Sequence, residues 1–492
     1  MMIYLLSIPL ALVAFILESY PRFINREYGV DIWTHLLYLK EYHKQKGIPK
    51  RIENGFLVPG DYDYPPVFIW ILSKFPFRTV EKYEFLFSPF FDFVHLIIIF
   101  GLVYILTSNV LLALLTQGLY VLTPIIILEN SSATPRSLGY TLFTVLMMSI
   151  IFYFQAPNPA FLVLAVISGS IIFLTHRFTT QGFLFFAIIF AVLDKNLLFP
   201  FIFMLSLLFA ILVSKGFYLK VLRGHIGNLN FWIKNIDYRF AHQVKGNIKS
   251  TENRDFIFRT YNQFLQFPPF VLEITSPWVL FILYIFIFEF PNNPIFSLMT
   301  LWVVISYVLA LATIWISKLR FLGEGQRYLE LSAFPAAFLA ANFLLSKINS
   351  GIGLPFAILY SIIGVLALVT IIVIQRKAII NEKLRAVTPE MKKMFTYLKS
   401  LKKKPSLLCI PHQITTNTAY HTGCPVFVNA SYATIDKISD VYPYIKNPIR
   451  RIMRKHNLDM ILLNADYAKI EDMKLGNYEK VYEAGNFVLL KV

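Results

Sequence analysis

The sequence predicts a polytopic α-helical membrane protein whose last quarter folds as a small α/β domain, and three observations carry that prediction. Of 492 residues, 56% are hydrophobic and only 15% charged, against the ~25% charge of soluble domains. Apolar runs of about 17–25 residues recur along the first three quarters of the chain, long enough to cross a ~30 Å hydrocarbon core as helices. They lack the strict in-and-out alternation of barrel strands. From about residue 376 the composition turns ordinary and strand-like runs replace the long apolar ones.

Apolar runs bounded by polar, Gly or Pro breaks give about eleven candidate spans. They lie near residues 2–18, 88–107, 110–128, 137–154, 160–175, 180–193, 196–214, 271–290, 296–316, 327–346 and 352–375. The runs at 160–193 are short, with His176-Arg177 between them, a pattern also expected of two helices that stop partway across the membrane and line a cavity. The first run lacks the basic n-region and small-residue cleavage site of a signal peptide, so it reads as a retained helix. The membrane region is therefore 1–375 and the soluble domain 376–492.

Polar stretches interrupt this array. The first extramembrane loop, 19–87, holds an amphipathic helical pattern over Asp31–Lys46 and then the turn-rich string GDYDYPP at 60–66. The segment 215–270 mixes aromatic and basic residues, as helices lying in the membrane interface do. In the tail, SLLCIP (406–411), PVFVNA (425–430) and MILLNA (460–465) read as buried strands and 478–492 as a hairpin around Ala484-Gly485. With eleven spans, parity places the first loop, 215–270 and the tail on one side of the membrane.

The net charge of +17 concentrates around Lys215–Arg259 and Arg376–Lys404, outside the apolar runs. Membrane-flanking basic segments account for it, with membrane lipid as the partner. No recognition motif accompanies the charge, so nucleic acid is not an expected partner. Cys409 and Cys424 both fall in the tail, where a disulfide is one option.

Candidate chemistry gathers just beyond the first span, in YGVDIWTHL at 28–36. Asp31 and His35, spaced i, i+4, share one helical face. Asp31 has two readings, a helix cap for free backbone N–H groups and a catalytic carboxylate. A first helix followed by a large loop, an Asp soon after it (YGVDIWTHLLYLKEYHKQKGIP), a Tyr-Pro-Pro string before the second span (YDYPPVFIWIL) and many later spans closed by a soluble domain resemble the GT-C glycosyltransferases. Protein O-mannosyltransferases and oligosaccharyltransferase catalytic subunits are members of that family. The resemblance covers most of the membrane region and is strongest over 20–100.

That resemblance implies a GT-C-like fold and transfer of a sugar, with inversion, from a polyprenyl-phosphate carrier to a glycan, lipid or protein acceptor at the extracytoplasmic face of the plasma membrane. In the family the first-loop acidic residue is catalytic, which falls here on Asp31 as general base. Members often carry a late Arg-Tyr pair, so Arg327-Tyr328 is similar and would meet the donor phosphate, with Arg136 and Arg177 as further cationic candidates. Guanidinium suits phosphate because it forms two parallel hydrogen bonds and keeps its charge near lipid; the alternative for Arg327 is snorkelling at a helix end. Glu129 matches an acidic second-loop residue by location. No paired acidic motif accompanies it, which leaves a divalent metal possible but unassigned, with Glu129 and His176 as its ligand candidates. Asp61 and Asp63 resemble a D-x-D string, yet Pro65-Pro66 makes a turn an equal reading; they stand with His35 as substrate-loop candidates. Asp92 and His95, i, i+3 in the second span, read as a structural pair, and HQITTNTAYHTG (412–423) as either a connecting loop or a binder of glycan hydroxyls.

Two tensions remain in the sequence. Lys and Arg crowd the side holding the first loop and tail, which the positive-inside rule places in the cytoplasm, whereas the family resemblance places it outside. A transporter or lipid flippase with a soluble accessory domain is the competing class, though no internal repeat of the kind common in transporters is apparent.

Overall fold

The computed structural model describes residues 2–491 apart from Val30, Asn196, 239–267, Leu384 and Asp472. Part of the expected interfacial segment, 239–267, thus lies outside the described residues. The chain forms two compact units, one of 1–24, 83–218 and 260–380, the other of 25–82, 219–259 and 381–492.

The first unit is helical. Among the described residues six helices are long and apolar enough to cross a membrane: Ile3–Ile24, Phe77–Thr107, Arg136–Gln155, Pro294–Trp315, Gly325–Asn349 and Gly353–Ile380. A seventh span results if Leu198–Val213 and Phe217–Lys234, bent by 119°, count as one. By length and composition alone the described residues thus offer six or seven spans, where eleven were expected. Helices do occupy the other apolar runs, but proline and polar breaks cut them short. The run 110–128 divides into Val110–Val121 and Pro124–Glu129, and 271–290 into Pro268–Thr275 and Val279–Phe288, because Pro124 and Pro277 bring no N–H to the ladder. Pro159–Phe173 and Arg177–Asp194 occupy 160–193 as two separate helices of 15 and 18 residues.

Polar groups inside this unit come with partners, as a lipid-embedded interior demands. Arg22 and Glu84 form a fully buried ion pair, and Glu84 also accepts from the Ala133 N–H at 3.2 Å. Asp92 accepts from the hydroxyls of Tyr120 and Tyr140, both at 2.7 Å. The His95 ring bridges Tyr120 and Thr144 at 3.0 Å each, so Asp92 and His95 belong to a structural network.

The second unit is built on a six-stranded sheet. Its strands are β2 (Phe56–Val58), β4 (Leu407–Ile410), β5 (Val426–Asn429), β6 (Met460–Asn464), β7 (Glu479–Ala484) and β8 (Phe487–Lys491), in spatial order β2-β5-β4-β6-β8-β7. The pairs β2–β5, β5–β4 and β4–β6 are parallel, whereas β8 runs antiparallel to both β6 and β7. The tail strands fall on the apolar runs read from the sequence. The first loop contributes β2, however, so it and the tail share one sheet; β1 (Arg51–Ile52) and β3 (Gly60–Asp61) pair separately beside it. The central strands β4 and β6 are nearly continuous apolar runs, as strands covered on both faces are. Cys409 and Cys424 are both buried and free, and burial pushes the Cys409 thiol up to about 12.

The amphipathic pattern at 31–46 forms the helix Ile32–Gln45, ended by Lys46 in the left-handed region. Its middle is buried all round, with Leu36, Leu37, Tyr38 and Leu39 in succession out of water, worth roughly 1.5–3 kcal/mol for each large side chain. The turn-rich string is fastened to the tail: Asp63 is 2% exposed and accepts from Ser431 Oγ at 2.7 Å and the Ala433 N–H at 2.9 Å. Gly60 is required beside it, since a Cβ there would stand 2.5 Å from Ser431 Cβ.

Candidate active site

Asp31 stands at the start of the helix Ile32–Gln45, but its side chain accepts no capping hydrogen bond. The cap reading therefore fails, and the carboxylate is exposed. Two backbone contacts place it. The Gly29 N–H donates to the Arg385 carbonyl and the Val387 N–H to the Glu27 carbonyl, each at 3.0 Å, with Tyr28 and Ala386 bridged antiparallel. This short ladder ties the chain just before Asp31 to the chain leading into the tail.

Asp31 and Arg385 line a cavity of about 320 Å³ within the second unit. Its wall is completed by Thr34 and Tyr38 from the same helix and by Gln413, Thr416, Asn429 and Tyr432 from the tail, with His412 and Tyr442 also on it. Burial holds His412 down to about 4, from an ordinary 6.5, so its imidazole is neutral near pH 7 and both donates and accepts. The Tyr442 ring lies 4.9 Å from His412 and stacks on Phe231 at 5.6 Å. Gln413 Oε1 is buried without a hydrogen-bond donor.

His35, one turn after Asp31, is 3% exposed and wedged edge-on between Tyr64 and Phe68 at 5.4 and 5.3 Å. Burial pushes it down to about 4, against the opposing pull of Asp31. It is a neutral packing residue. Asp61 is exposed and faces Lys220 at 3.5 Å, while Asp63 is consumed by the tail contacts. The two carboxylates do not form a D-x-D ligand pair.

The other candidates lie in the first unit. Arg136 pairs with Glu129 and lies 4.0 Å from Glu330, and Arg327 pairs with Glu324. Both arginines act electrostatically on Glu330, so the sequence-distant Arg136 and Arg327 do gather around one carboxylate. They are matched there by three carboxylates. Arg327 is the more accessible, its side chain 24% exposed against 9% for Arg136. Tyr328 is fully buried; its hydroxyl accepts from Gln181 at 2.6 Å and its ring meets Phe178 at 4.6 Å, which makes it a packing residue. Arg177 acts on Tyr218. His176 bonds Thr179 at 2.9 Å and packs on Gly139. Among the described residues no three His, Cys, Asp or Glu side chains gather as a metal's ligand set, and Glu129 and His176 do not come together as ligands.

The cavity residues Arg385, His412, Gln413, Asn429, Tyr432 and Tyr442 were not singled out individually by sequence reasoning. The one available signal was the hydroxyl-rich string 412–423, ambiguous between a connecting loop and a glycan site.

No protein-family model matches the sequence, and no curated protein matches it. Solved structures do. The oligosaccharyltransferase of Archaeoglobus fulgidus, tethered with an acceptor peptide containing the NVT sequon, aligns with a TM-score of 0.60 at 12% identity over 96% of this chain and 70% of that one. The fold is GT-C. The same archaeal enzyme, AglB, in complex with an inhibitory peptide and a dolichol-phosphate aligns at 0.53 and 11% identity over 100% and 74% of the two chains. ArnT from Cupriavidus metallidurans bound to undecaprenyl phosphate aligns over 99% and 97% at 10% identity and a TM-score of 0.43. A GT-C fold and six apolar spanning helices make this an integral membrane protein.

Proposed function

We propose that the protein is an inverting glycosyltransferase of the plasma membrane that moves a sugar from a polyprenyl-phosphate carrier to an acceptor at the extracytoplasmic face. In a chain of GT-C fold, the observation that carries the reading is Asp31: a first-loop carboxylate, released from capping and exposed, at the lip of a cavity. It supplies the base. As the acceptor's nucleophilic atom bonds to the anomeric carbon, the bond from that carbon to the phosphate oxygen breaks. The electron pair leaves on the phosphate and the acceptor's proton passes to Asp31. Arg327 is the residue proposed to receive the phosphate. It is the more exposed of the gathered arginines, and its pair with Glu324 would exchange for phosphate oxygens. Arg136, held by Glu129 and Glu330, positions that segment, and Tyr328 braces it from within. The dolichol-phosphate bound to AglB suits a donor of this class.

Purified protein in proteoliposomes, given a panel of labelled polyprenyl-phosphate sugars, is expected to consume at least one of them and to form a glycosylated product. Flux of the intact lipid across the bilayer without covalent transfer would instead establish the flippase class. An epitope on the tail, probed in intact cells, is expected to be accessible from outside.

A further inference from the structure

The cavity beside Asp31 has a lining that discriminates between acceptor classes. Its space of about 320 Å³ is that of about ten waters of liquid, room for a sugar ring and little more. Tyr432 and Tyr442, both half-buried, bring aromatic rings to the lining, while Tyr38 and Phe56 border it at 3% and 4% exposure. Between these rings stand groups that both donate and accept: the hydroxyls of Thr34 and Thr416, the amide of Gln413 and the His412 imidazole. The charges are one carboxylate, Asp31, and one guanidinium, Arg385, so the lining has no net charge for an anion to seek. Asn429 spends one amide hydrogen on the Ser431 carbonyl at 2.8 Å and keeps its carbonyl oxygen for another donor.

We infer that this cavity is the acceptor subsite and that it takes a neutral sugar residue, whose C–H face lies on the tyrosine rings and whose hydroxyls meet Thr34, Gln413 and Thr416, with one hydroxyl turned to Asp31. A pyranose is amphipathic in this manner: flat and apolar across its axial C–H bonds, and ringed by groups that each donate and accept. A phosphorylated acceptor would face the Asp31 carboxylate with only Arg385 to offset it. The neutral state of His412, which burial enforces, keeps the lining matched to uncharged hydroxyls near pH 7.

This inference rests on the glycosyltransferase reading for its meaning, and a binding measurement separates the two. With full-length protein in micelles, saturation-transfer NMR against a panel of methyl pyranosides is expected to show magnetisation reaching the ring protons of at least one. The signal should vanish in Thr416→Trp, which fills the cavity. With a labelled polyprenyl-phosphate donor, the same pyranoside should act as acceptor, and Gln413→Ala and Thr416→Ala should each raise its KM about fivefold, the weight of one neutral hydrogen bond, with kcat little changed. These smaller variants keep the test open if Thr416→Trp does not fold. Three results overturn the sugar site: no pyranoside binds the wild type, binding survives Thr416→Trp in folded protein, or hydroxyl-bearing peptides are glycosylated while pyranosides are not. Pyranoside binding that Thr416→Trp abolishes, in a protein that consumes no donor, would leave the sugar site standing and remove the glycosyltransferase reading.

Discussion

The two units of this protein treat ionisable groups differently. In the helical unit buried and half-buried ionisable groups are held by partners: Arg22 by Glu84, Arg136 by Glu129 and Glu330, Arg327 by Glu324, and Asp92 by the Tyr120 and Tyr140 hydroxyls. In the sheet-based unit Asp31 stands at a cavity lip with its side chain outside any helix cap, while His35, buried, and His412, half-buried, are neutral rings. The contrast follows from the surroundings. Where helices pack in hydrocarbon, an uncompensated charge costs several kcal/mol, so charge survives there in pairs. A carboxylate that must accept a proton belongs where water and substrate can reach it.

The sharpest way to break this contrast is to unpair a buried charge. Arg22→Met alone strands Glu84 and is expected to destabilise the helical unit by about 3–5 kcal/mol, whereas Arg22→Met with Glu84→Met should lie near wild type. Thermal unfolding of both in the same detergent checks this, and equal stability of the two variants would contradict it. The second comparison concerns the buried ring next to Asp31. His35 binds its proton more weakly in the folded protein, about 4, than in the unfolded chain, 6.5. Between those values the unfolded state carries more protons, so stability is complete above pH 6.5 and drains as pH falls toward 4. The loss is on the order of 3 kcal/mol. Melting curves from pH 7 to 4 should show it, and His35→Phe should flatten the acid limb.

A smaller effect tests how the first loop is held to the tail. Asp63→Ala leaves the Ser431 hydroxyl and Ala433 N–H without their acceptor and is expected to cost about 1–3 kcal/mol. Its readout is faster proteolysis within 53–66. Asp61→Ala removes only an exposed partner of Lys220, worth at most about 1 kcal/mol, and should be nearly silent. Equal effects would mean that the two aspartates of the string are alike after all.

What the sequence disclosed follows the range of the forces involved. Apolar runs mark where helices form because hydrophobic burial is local in pattern, and the amphipathic helix Ile32–Gln45 and the strands β4, β5, β6 and β8 were visible for the same reason. That helices break inside the apolar runs was not visible, because such a run does not show that Pro124 or Pro277 interrupts the hydrogen-bond ladder within it. The placement of β2 was hidden: three residues, Phe56–Val58, join a strand some 370 positions away, and no local signal announces a partner at that distance. Asp31 was legible through its place after the first span. That it would not cap its own helix was not, because the backbone ladder with Arg385 and Val387 depends on residues from the far end of the chain. The cavity residues were obscured for that reason too, since hydroxyl-rich strings look alike in loops and in sugar sites until the fold brings aromatic rings beside them.

The most direct trial of the account is single-turnover sugar transfer from a labelled polyprenyl-phosphate donor by Asp31→Asn, which keeps the size and hydrogen bonding of the side chain and removes its basicity. A drop of about a hundredfold or more, with donor binding intact, is expected of a lost general base; transfer at the wild-type rate would show that this carboxylate does not take the proton.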